Sequence, residues 1–305
     1  MRTKTYYLIL KFFLVFSTAQ SQSKVNLFFK PSDSLNISRR NSVVISEAAL
    51  LSATMIGLET YWYSDYPQSK FHFINDNADW QQMDKMGHVF TSYQLGSFGS
   101  DALKWSGVSK KDQLIYGSTL GFVFLSAVEV LDGHSSNWGA SSGDIFANAT
   151  GTALYVSQEL LWKEQRIIPK FSFHTTQYAE FRPNVLGESF SEQMLKDYNG
   201  QTYWLSVNLH SFFKESKIPQ WLNVAVGYGA DGMVYSKSNA ESDLYYPNVT
   251  PFRQFYFSFD ADLTKIKTNS HVLKTLFSVV NMIKIPAPTL EINGNGKAEF
   301  YAFYF

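Results

Sequence analysis

The chain of 305 residues contains no cysteine. This absence excludes disulfides, thiolate metal sites and a cysteine nucleophile, and it excludes a lipid anchor attached to a mature N-terminal cysteine. An excess of either charge is also lacking, because 26 Lys and Arg residues balance 26 Asp and Glu residues. Without a basic excess the chain lacks the electrostatic footprint of a nucleic-acid-binding protein, so no nucleic-acid partner is expected.

Charged residues are few, at 17% of the chain, where soluble domains average roughly 25%. Aromatic residues are abundant instead, and they also make up 17%. Because Trp, Tyr and Phe concentrate at the lipid–water boundary of membrane proteins, this composition favours contact with membrane lipid. The alternative is a soluble protein with an aromatic-rich core.

Residues 1–21 show the three-part pattern of a secretory signal peptide. Arg2 and Lys4 provide a basic start, the stretch Tyr6–Phe16 is mostly apolar, and Ala19–Ser21 offers small residues to a signal peptidase. The apolar stretch is too short to span a bilayer. We therefore predict an exported protein whose mature chain begins near residue 22.

Residues 22–165 are predicted to form a helical domain. Four segments have helical composition, and they are Val43–Tyr63, Met83–Trp105, Lys111–Leu131 and Gly143–Lys163. Small residues within them let helices approach closely, so we predict a compact four-helix bundle. The third segment is of borderline length for a membrane span, and periodicity leaves open whether the bundle lies in lipid or against it.

Residues 166–305 are predicted to form an antiparallel, β-rich, membrane-associated region. Apolar and polar side chains alternate in Gln201–Phe213, Leu222–Tyr228 and Gln254–Leu263, which is typical of strands with one apolar face. A last strand, Lys297–Phe305, ends in an aromatic residue and resembles the terminal signature of bacterial outer-membrane barrels. The fold class is thus α+β, a four-helix bundle followed by an outer-membrane-barrel-like part.

The number of predicted strands does not decide whether a barrel closes. Five or six strands are recognisable, whereas a closed single-chain barrel takes about eight or more. A soluble antiparallel sheet packed on the helices, which also has one apolar face, is the alternative.

One group of polar residues is placed to form a site. Asp84 and His88 are four residues apart on the second helix, and Glu129 and Asp132 are three apart on the third. Asp144 lies at the start of the fourth, so an antiparallel bundle with short loops brings all five to one end. Carboxylates and an imidazole can bind a divalent metal ion or share protons, which makes these five residues candidate metal ligands or acid–base groups.

The same residues also have a structural interpretation. Asp84 and Asp144 lie near helix starts, where a negative charge stabilises the helix dipole. Asn148 and Gly151 are of the kind that mediates close helix packing. The cluster is then a network that orders the helix ends.

Three segments of the helical part occur in a recognisable order. They are Asp-Lys-Met-Gly-His at 84–88, Glu-Val-Leu-Asp at 129–132 and Ser-Gly-Asp-Ile-Phe-Ala-Asn-Ala-Thr-Gly at 142–151. Together they resemble the YfiM-like family of predicted bacterial envelope proteins of unknown function, and the first and last are also similar to the VanZ-like membrane family. The resemblance covers roughly residues 45–165. It implies export and residence in the cell envelope, with the outer membrane expected and the inner membrane or periplasm as alternatives.

Two functions follow as hypotheses. In the first, the protein has a structural or binding role, and its helices pack on an outer-membrane β-structure. In the second, it is a metal-dependent or acid–base hydrolase of an envelope lipid or cell-wall precursor, in which His88 is the acid or base. Membrane lipid is the expected partner in both, and other envelope proteins or a second copy of the chain are further candidates.

Overall fold

A computed structural model describes residues 24–64, 66–237 and 249–305 of the chain. The predicted signal peptide lies outside these residues. Helices prevail up to residue 161, and an antiparallel sheet begins at residue 167. The predicted mixture of a helical part and a following antiparallel sheet is therefore confirmed.

Four long helices lie where the sequence predicts them. Their bounds are α1 Ile37–Leu58, α2 Met83–Trp105, α3 Leu120–His134 and α4 Ser142–Leu161. The π-helical turn Glu59–Tyr63 extends α1, and Lys110–Asp112 with the π-helical turn Gln113–Gly117 leads into α3. Ser141 begins α4 as its N-cap, because its hydroxyl accepts the Asp144 N–H at 3.1 Å.

The predicted four-helix bundle is not found, since α2, α3 and α4 pack closely and α1 does not. A Cβ atom added at Gly121 would collide with the Ser92 carbonyl oxygen, and one added at Gly151 would collide with that of Val89. These glycines let the three helix backbones approach one another. In contrast, α1 buries only Val43, and a Cβ atom added at its glycine, Gly57, would meet no other element within 4 Å.

This difference predicts opposite results for two identical substitutions. We expect Gly151→Ala to destabilise the protein by about 1–3 kcal/mol, because the added methyl group forces α2 and α4 apart. We expect Gly57→Ala to stabilise it by up to about 1 kcal/mol, since the site is open and Ala favours helix. Chemical denaturation of both variants measures the contrast. Equal effects would contradict the close contact between α2 and α4.

Within the described part of the chain, two helical stretches are long and apolar enough to cross a membrane, Ile37–Leu58 and Lys110–His134. Length and composition alone are weak evidence, because core helices of soluble proteins meet the same criteria. The second stretch contains α3, which buries Leu125 and Glu129 against the other helices. We assign neither stretch as a membrane span.

The described residues of the C-terminal half form one antiparallel sheet of six strands in sequential order. Its strands are β3 Ile167–Phe173, β4 Gln201–Asn208, β5 Leu222–Asp231, β6 Phe252–Ala261, β7 Ala287–Asn293 and β8 Ala298–Tyr304. A two-residue parallel ladder in the helical part joins β1 Phe73–Ile74 to β2 Ala140–Ser141. Helical connections are Tyr178–Phe181, Pro183–Leu186, Phe190–Lys196, Leu209–Phe212, the 3-10 turn Leu263–Lys265 and α5 His271–Val280.

No closed barrel forms among the described residues, so the barrel-like expectation is corrected to a rolled sheet. Strands β3 and β8 are the two ends of the ladder. The free side of β3 pairs briefly with the segment before β7, because the Phe171 N–H donates to Met282 O at 2.9 Å and the Lys284 N–H donates to Phe171 O at 2.9 Å. Across the concave face, the hydroxyls of Thr202 on β4 and Tyr304 on β8 lie 3.0 Å apart. The six strands of the described residues curl, and they are fewer than the roughly eight or more of a transmembrane barrel.

The sheet buries its polar face, and its apolar face packs on α2 at Phe171 and Tyr203 and is exposed beyond that contact. One directly paired row across five strands is apolar and exposed, and it comprises Leu205, Val226, Phe257, Leu290 and Phe300. The neighbouring row on the other face is buried, with Trp204 and Tyr256 beside Glu291. The alternation in sequence therefore predicts the strands correctly, and the concave interior receives the polar residues.

Candidate functional site

Four of the five predicted site residues lie together where α2, α3 and α4 meet. The Nε2 atom of His88 is 3.8 Å from Asp84 Oδ1, from Glu129 Oε1 and from Asp144 Oδ1. The side chains of Glu129 and Asp144 are only 3% and 6% exposed. An imidazole thus faces three carboxylates in a nearly dry environment. We call this group, with the residues that contact it below, the charge cluster.

Asp132, the fifth predicted residue, is not among the carboxylates that face the His88 imidazole. Its Oδ1 atom accepts a hydrogen bond of 2.7 Å from the Tyr63 hydroxyl. Tyr63 belongs to the π-helical turn that extends α1. Asp132 therefore ties the end of α1 to the charge cluster and does not contact His88 directly.

Sequence reasoning missed the cation at the centre of the cluster, Lys85. Its Nζ atom lies 2.7 Å from Asp76 Oδ2, 2.8 Å from Asp144 Oδ1 and 3.1 Å from Asp84 Oδ2. Asp76 was also missed, because it comes from the loop before α2, where spacing gives no signal. Lys85 could have been found from the sequence, because it lies within the Asp-Lys-Met-Gly-His segment at 84–88. With these two residues the cluster holds five carboxylates and two basic groups.

Asn148 and Gly151 position the imidazole from α4. Asn148 Oδ1 lies 2.9 Å from His88 Nδ1, an arrangement in which Nδ1 donates and Nε2 faces the carboxylates. The Asn148 side chain is fully buried, and among the described residues its Nδ2 atom has no hydrogen-bond partner. One turn further along α4, Gly151 allows the α2 backbone to come close. The geometry agrees with the structural role predicted for both residues.

The start of α2 is held by contacts with the sheet. Trp80, Gln81 and Gln82 all have positive φ, a strained conformation for residues other than glycine. The Tyr228 hydroxyl donates to Gln81 O at 2.5 Å, and Arg253 donates to the Gln82 side chain at 2.7 Å. These bonds fix the turn that presents the first residues of α2 to the cluster.

The cluster holds several ionisable groups away from their ordinary protonation. Burial, with the nearby Asp144 charge, raises the pKa of Glu129 to about 7. Burial, with the Asp84 charge, raises the pKa of Asp144 to about 7, and burial raises the pKa of Asp132 to about 6. Burial acts to lower the pKa of His88, but the charges of Asp84 and Asp144 outweigh it and raise the value. Near neutral pH these groups therefore share protons.

A divalent metal ion would have to compete with the lysine. Ligand atoms of Asp84, His88 and Asp144 lie within 4.8 Å of one another, as a metal site requires. However, the Lys85 ammonium already lies 2.8 Å from Asp144 Oδ1. The predicted metal site stays a prediction.

A cavity of about 470 Å³ borders Asp84 and His88. It lies between α2 and the sheet, and most of its lining is apolar, including Phe90 and Phe171. The polar groups at its inner end include the hydroxyl of Tyr198, which donates to Asp84 Oδ1 at 2.9 Å. The cluster is thus reachable from an apolar space.

The chain is similar in sequence to one protein family. The sequence model of a family described as a predicted periplasmic lipoprotein (DUF2279) matches residues 72–159, less than a third of the chain. The match runs from the loop before α2 through nearly all of α4, so it includes the charged residues of the cluster but not Tyr63 or Tyr198. No curated protein and no solved structure matches the chain. The similarity to the VanZ-like family stays a prediction.

The lipoprotein part of that description has no chemical basis in these 305 residues, because they contain no cysteine to carry the lipid. The periplasmic part agrees with the export signal expected at the N-terminus. The matched segment is also the segment that builds the charge cluster. The chain is accordingly a bacterial envelope protein, similar over its helical core to a family of unknown function.

Proposed function

We propose that the protein is an outer-membrane-associated envelope protein with a structural or binding role, and that its sheet lies with the apolar face against lipid. The observation that carries this proposal is the reversed polarity of the sheet. Leu205, Val226 and Phe257 on neighbouring strands are each at least 41% exposed. On the opposite face, Lys170 and Asp260 are fully buried.

Reversed polarity is costly in water and favourable in lipid. A fully exposed Leu or Phe side chain gains about 1.5–3 kcal/mol when it leaves water. The side chains of this row are 40% to 70% exposed, so each gains a part of that energy, and the row adds these gains. Exposed apolar areas beyond a few hundred Å² mark interaction sites. The exposed row carries no charged residue, as a lipid-facing strand surface requires. Lipid is therefore the partner that this face fits.

Vesicle flotation tests the proposal with a matched pair of substitutions. Phe300 is 70% exposed on β8, and Phe146 is 74% exposed on α4, outside the sheet. We expect a Phe257→Asp/Phe300→Asp variant to float with phospholipid vesicles about ten-fold less than the wild type, because carboxylates are poorly tolerated on a lipid-facing strand. Phe146→Asp should float like the wild type.

Two results would contradict lipid contact. One is unchanged flotation of the Phe257→Asp/Phe300→Asp variant. The other is a stable dimer of the wild type in vesicle-free buffer that the same substitutions dissociate, which would assign the apolar face to a second copy of the chain. The hydrolase alternative stays a prediction, since a reacting group beside His88 is not identified among the described residues.

A further inference from the structure

The cavity beside the charge cluster combines an apolar wall with a strongly acidic end. Several elements contribute apolar side chains to its wall, among them Phe90 on α2, Phe171 on β3, and Met194 with Leu195 on the short helix Phe190–Lys196. Its volume of about 470 Å³ falls within the roughly 300–1,000 Å³ usual for small-molecule sites. The space is thus large enough for an extended hydrocarbon chain.

The inner end of the cavity is acidic. Asp84 and His88 line it, and Asp144 and Glu129 each lie 3.8 Å from the His88 Nε2 atom. Lys85, which contacts Asp84, is the other basic group of the cluster among the described residues. The Lys85 ammonium lies between carboxylates at 2.7 to 3.1 Å, so its charge is already neutralised. An anionic phosphate or carboxylate head would be repelled here, whereas a cation would be attracted.

Asp84 retains the capacity to bind such a head. Its Oδ1 atom accepts one hydrogen bond, from Tyr198, and its Oδ2 atom contacts Lys85. A carboxylate offers about four acceptor positions, so at least one remains for a ligand. The side chain of Asp84 is 26% exposed, the most open of the three carboxylates around His88.

We propose that this cavity binds a single-chain amphiphile with an amine head, its hydrocarbon chain lying between α2 and the sheet and its ammonium group facing Asp84. This inference rests on the proposed membrane association, because the bilayer is the reservoir of such molecules. The protein would then bind an amphiphile in a cavity of its own, in addition to lying on the membrane. The acidic end gives the site its selectivity, and the apolar wall gives it affinity.

The absence of cysteine allows a direct test by thiol protection. A Met194→Cys variant places a thiol in the wall of the cavity, and a Leu50→Cys variant places one on the exposed side of α1 as a control. Both proteins, reconstituted in phospholipid nanodiscs, are alkylated with N-ethylmaleimide in the presence of decylamine or decanoate. The two probes have the same chain length and differ in the charge of the head.

We expect decylamine to slow alkylation of Met194→Cys saturably, by about ten-fold or more, and decanoate to slow it less than about two-fold. Alkylation of Leu50→Cys should not change with either probe. Adding Asp84→Asn to Met194→Cys should weaken protection by decylamine, because the head loses its charged partner, while the apolar wall is unaltered. Shortening the chain to octylamine should weaken binding about four-fold for each methylene removed.

Equal protection by decanoate would overturn the assignment of an amine head. Equal slowing at Leu50→Cys would show general adsorption to apolar surface and would overturn the site itself, as would no protection by any probe. Flotation of the same Met194→Cys protein separates this inference from the proposed function. A protein that floats but shows no protection refutes the cavity alone, and one that shows protection but does not float refutes the membrane association alone.

Discussion

Replacing Lys170 by Met is expected to destabilise the protein by about 3–5 kcal/mol, because it leaves a buried carboxylate without its counter-ion. The Lys170 Nζ atom lies 2.8 Å from Asp260 Oδ2, and both side chains are 0% exposed. The ammonium also donates to Ala261 O at 2.7 Å and to Asn281 Oδ1 at 3.1 Å. Met fills a similar volume but satisfies none of these groups.

Two controls show whether the loss comes from the uncompensated charge. Lys170→Met/Asp260→Asn removes both charges and keeps an acceptor for the Ser206 hydroxyl, which donates to Asp260 Oδ2 at 2.6 Å. We expect it to recover at least about half of the lost stability. Lys104→Met, at an exposed lysine on α2, should stay within about 0.5 kcal/mol of the wild type.

The measurement is the free energy of unfolding from urea titration of the four proteins under one lipid or detergent condition. An effect of Lys170→Met no larger than that of Lys104→Met would mean that the concave face of the sheet is wet. In that case the polarity of the sheet is not reversed, and the argument for lipid on the outer face loses its basis.

Alternation in the sequence predicts the strands but not their inward face. Leu205 and Val226 alternate with polar residues just as they would in a sheet packed on helices. The partners that settle the question, Lys170 and Asp260, are 90 residues apart, and no local pattern joins them. The inward face is therefore decided by long-range charge pairing, which periodicity does not register.

The site was more predictable than the bundle around it. Helical spacing brings Asp84 to His88, and the antiparallel course of the helices brings Glu129 to them. The expectation that α1 joins the bundle was wrong, because a small residue in a helix does not by itself indicate a neighbouring helix. Close packing needs small residues with a facing neighbour, and Gly57 has none.

Raising the pH from 5 to 8 is expected to destabilise the protein, with a contribution on the order of 3 kcal/mol from Glu129 alone. Its pKa is about 7 in the folded protein, against an ordinary value of 4.5. Between these values the folded state keeps a proton that the unfolded state has lost, so stability falls as the pH rises through this window. Asp144, with a pKa of about 7, acts in the same direction.

Two histidines also change the stability of the folded state with pH. The raised pKa of His88 stabilises the folded state at low pH, and this contribution is also lost as the pH rises. Burial lowers the pKa of His174, which acts in the opposite direction, because that stability is lost as the pH falls. The comparison of a cluster variant with the wild type cancels the effect of His174.

Glu129→Gln is the variant that isolates the cluster. Its amide oxygen can still accept the Ser141 N–H, which donates to Glu129 Oε2 at 2.8 Å, but it cannot ionise. We expect its free energy of unfolding to fall with pH less steeply than that of the wild type, and Glu188→Gln, at an exposed glutamate, to leave the slope unchanged. If Glu129→Gln unfolds with the wild-type slope, Glu129 carries an ordinary carboxylate charge at neutral pH. The proton that the cluster holds near neutral pH would then belong to Asp144 or His88 and not to Glu129.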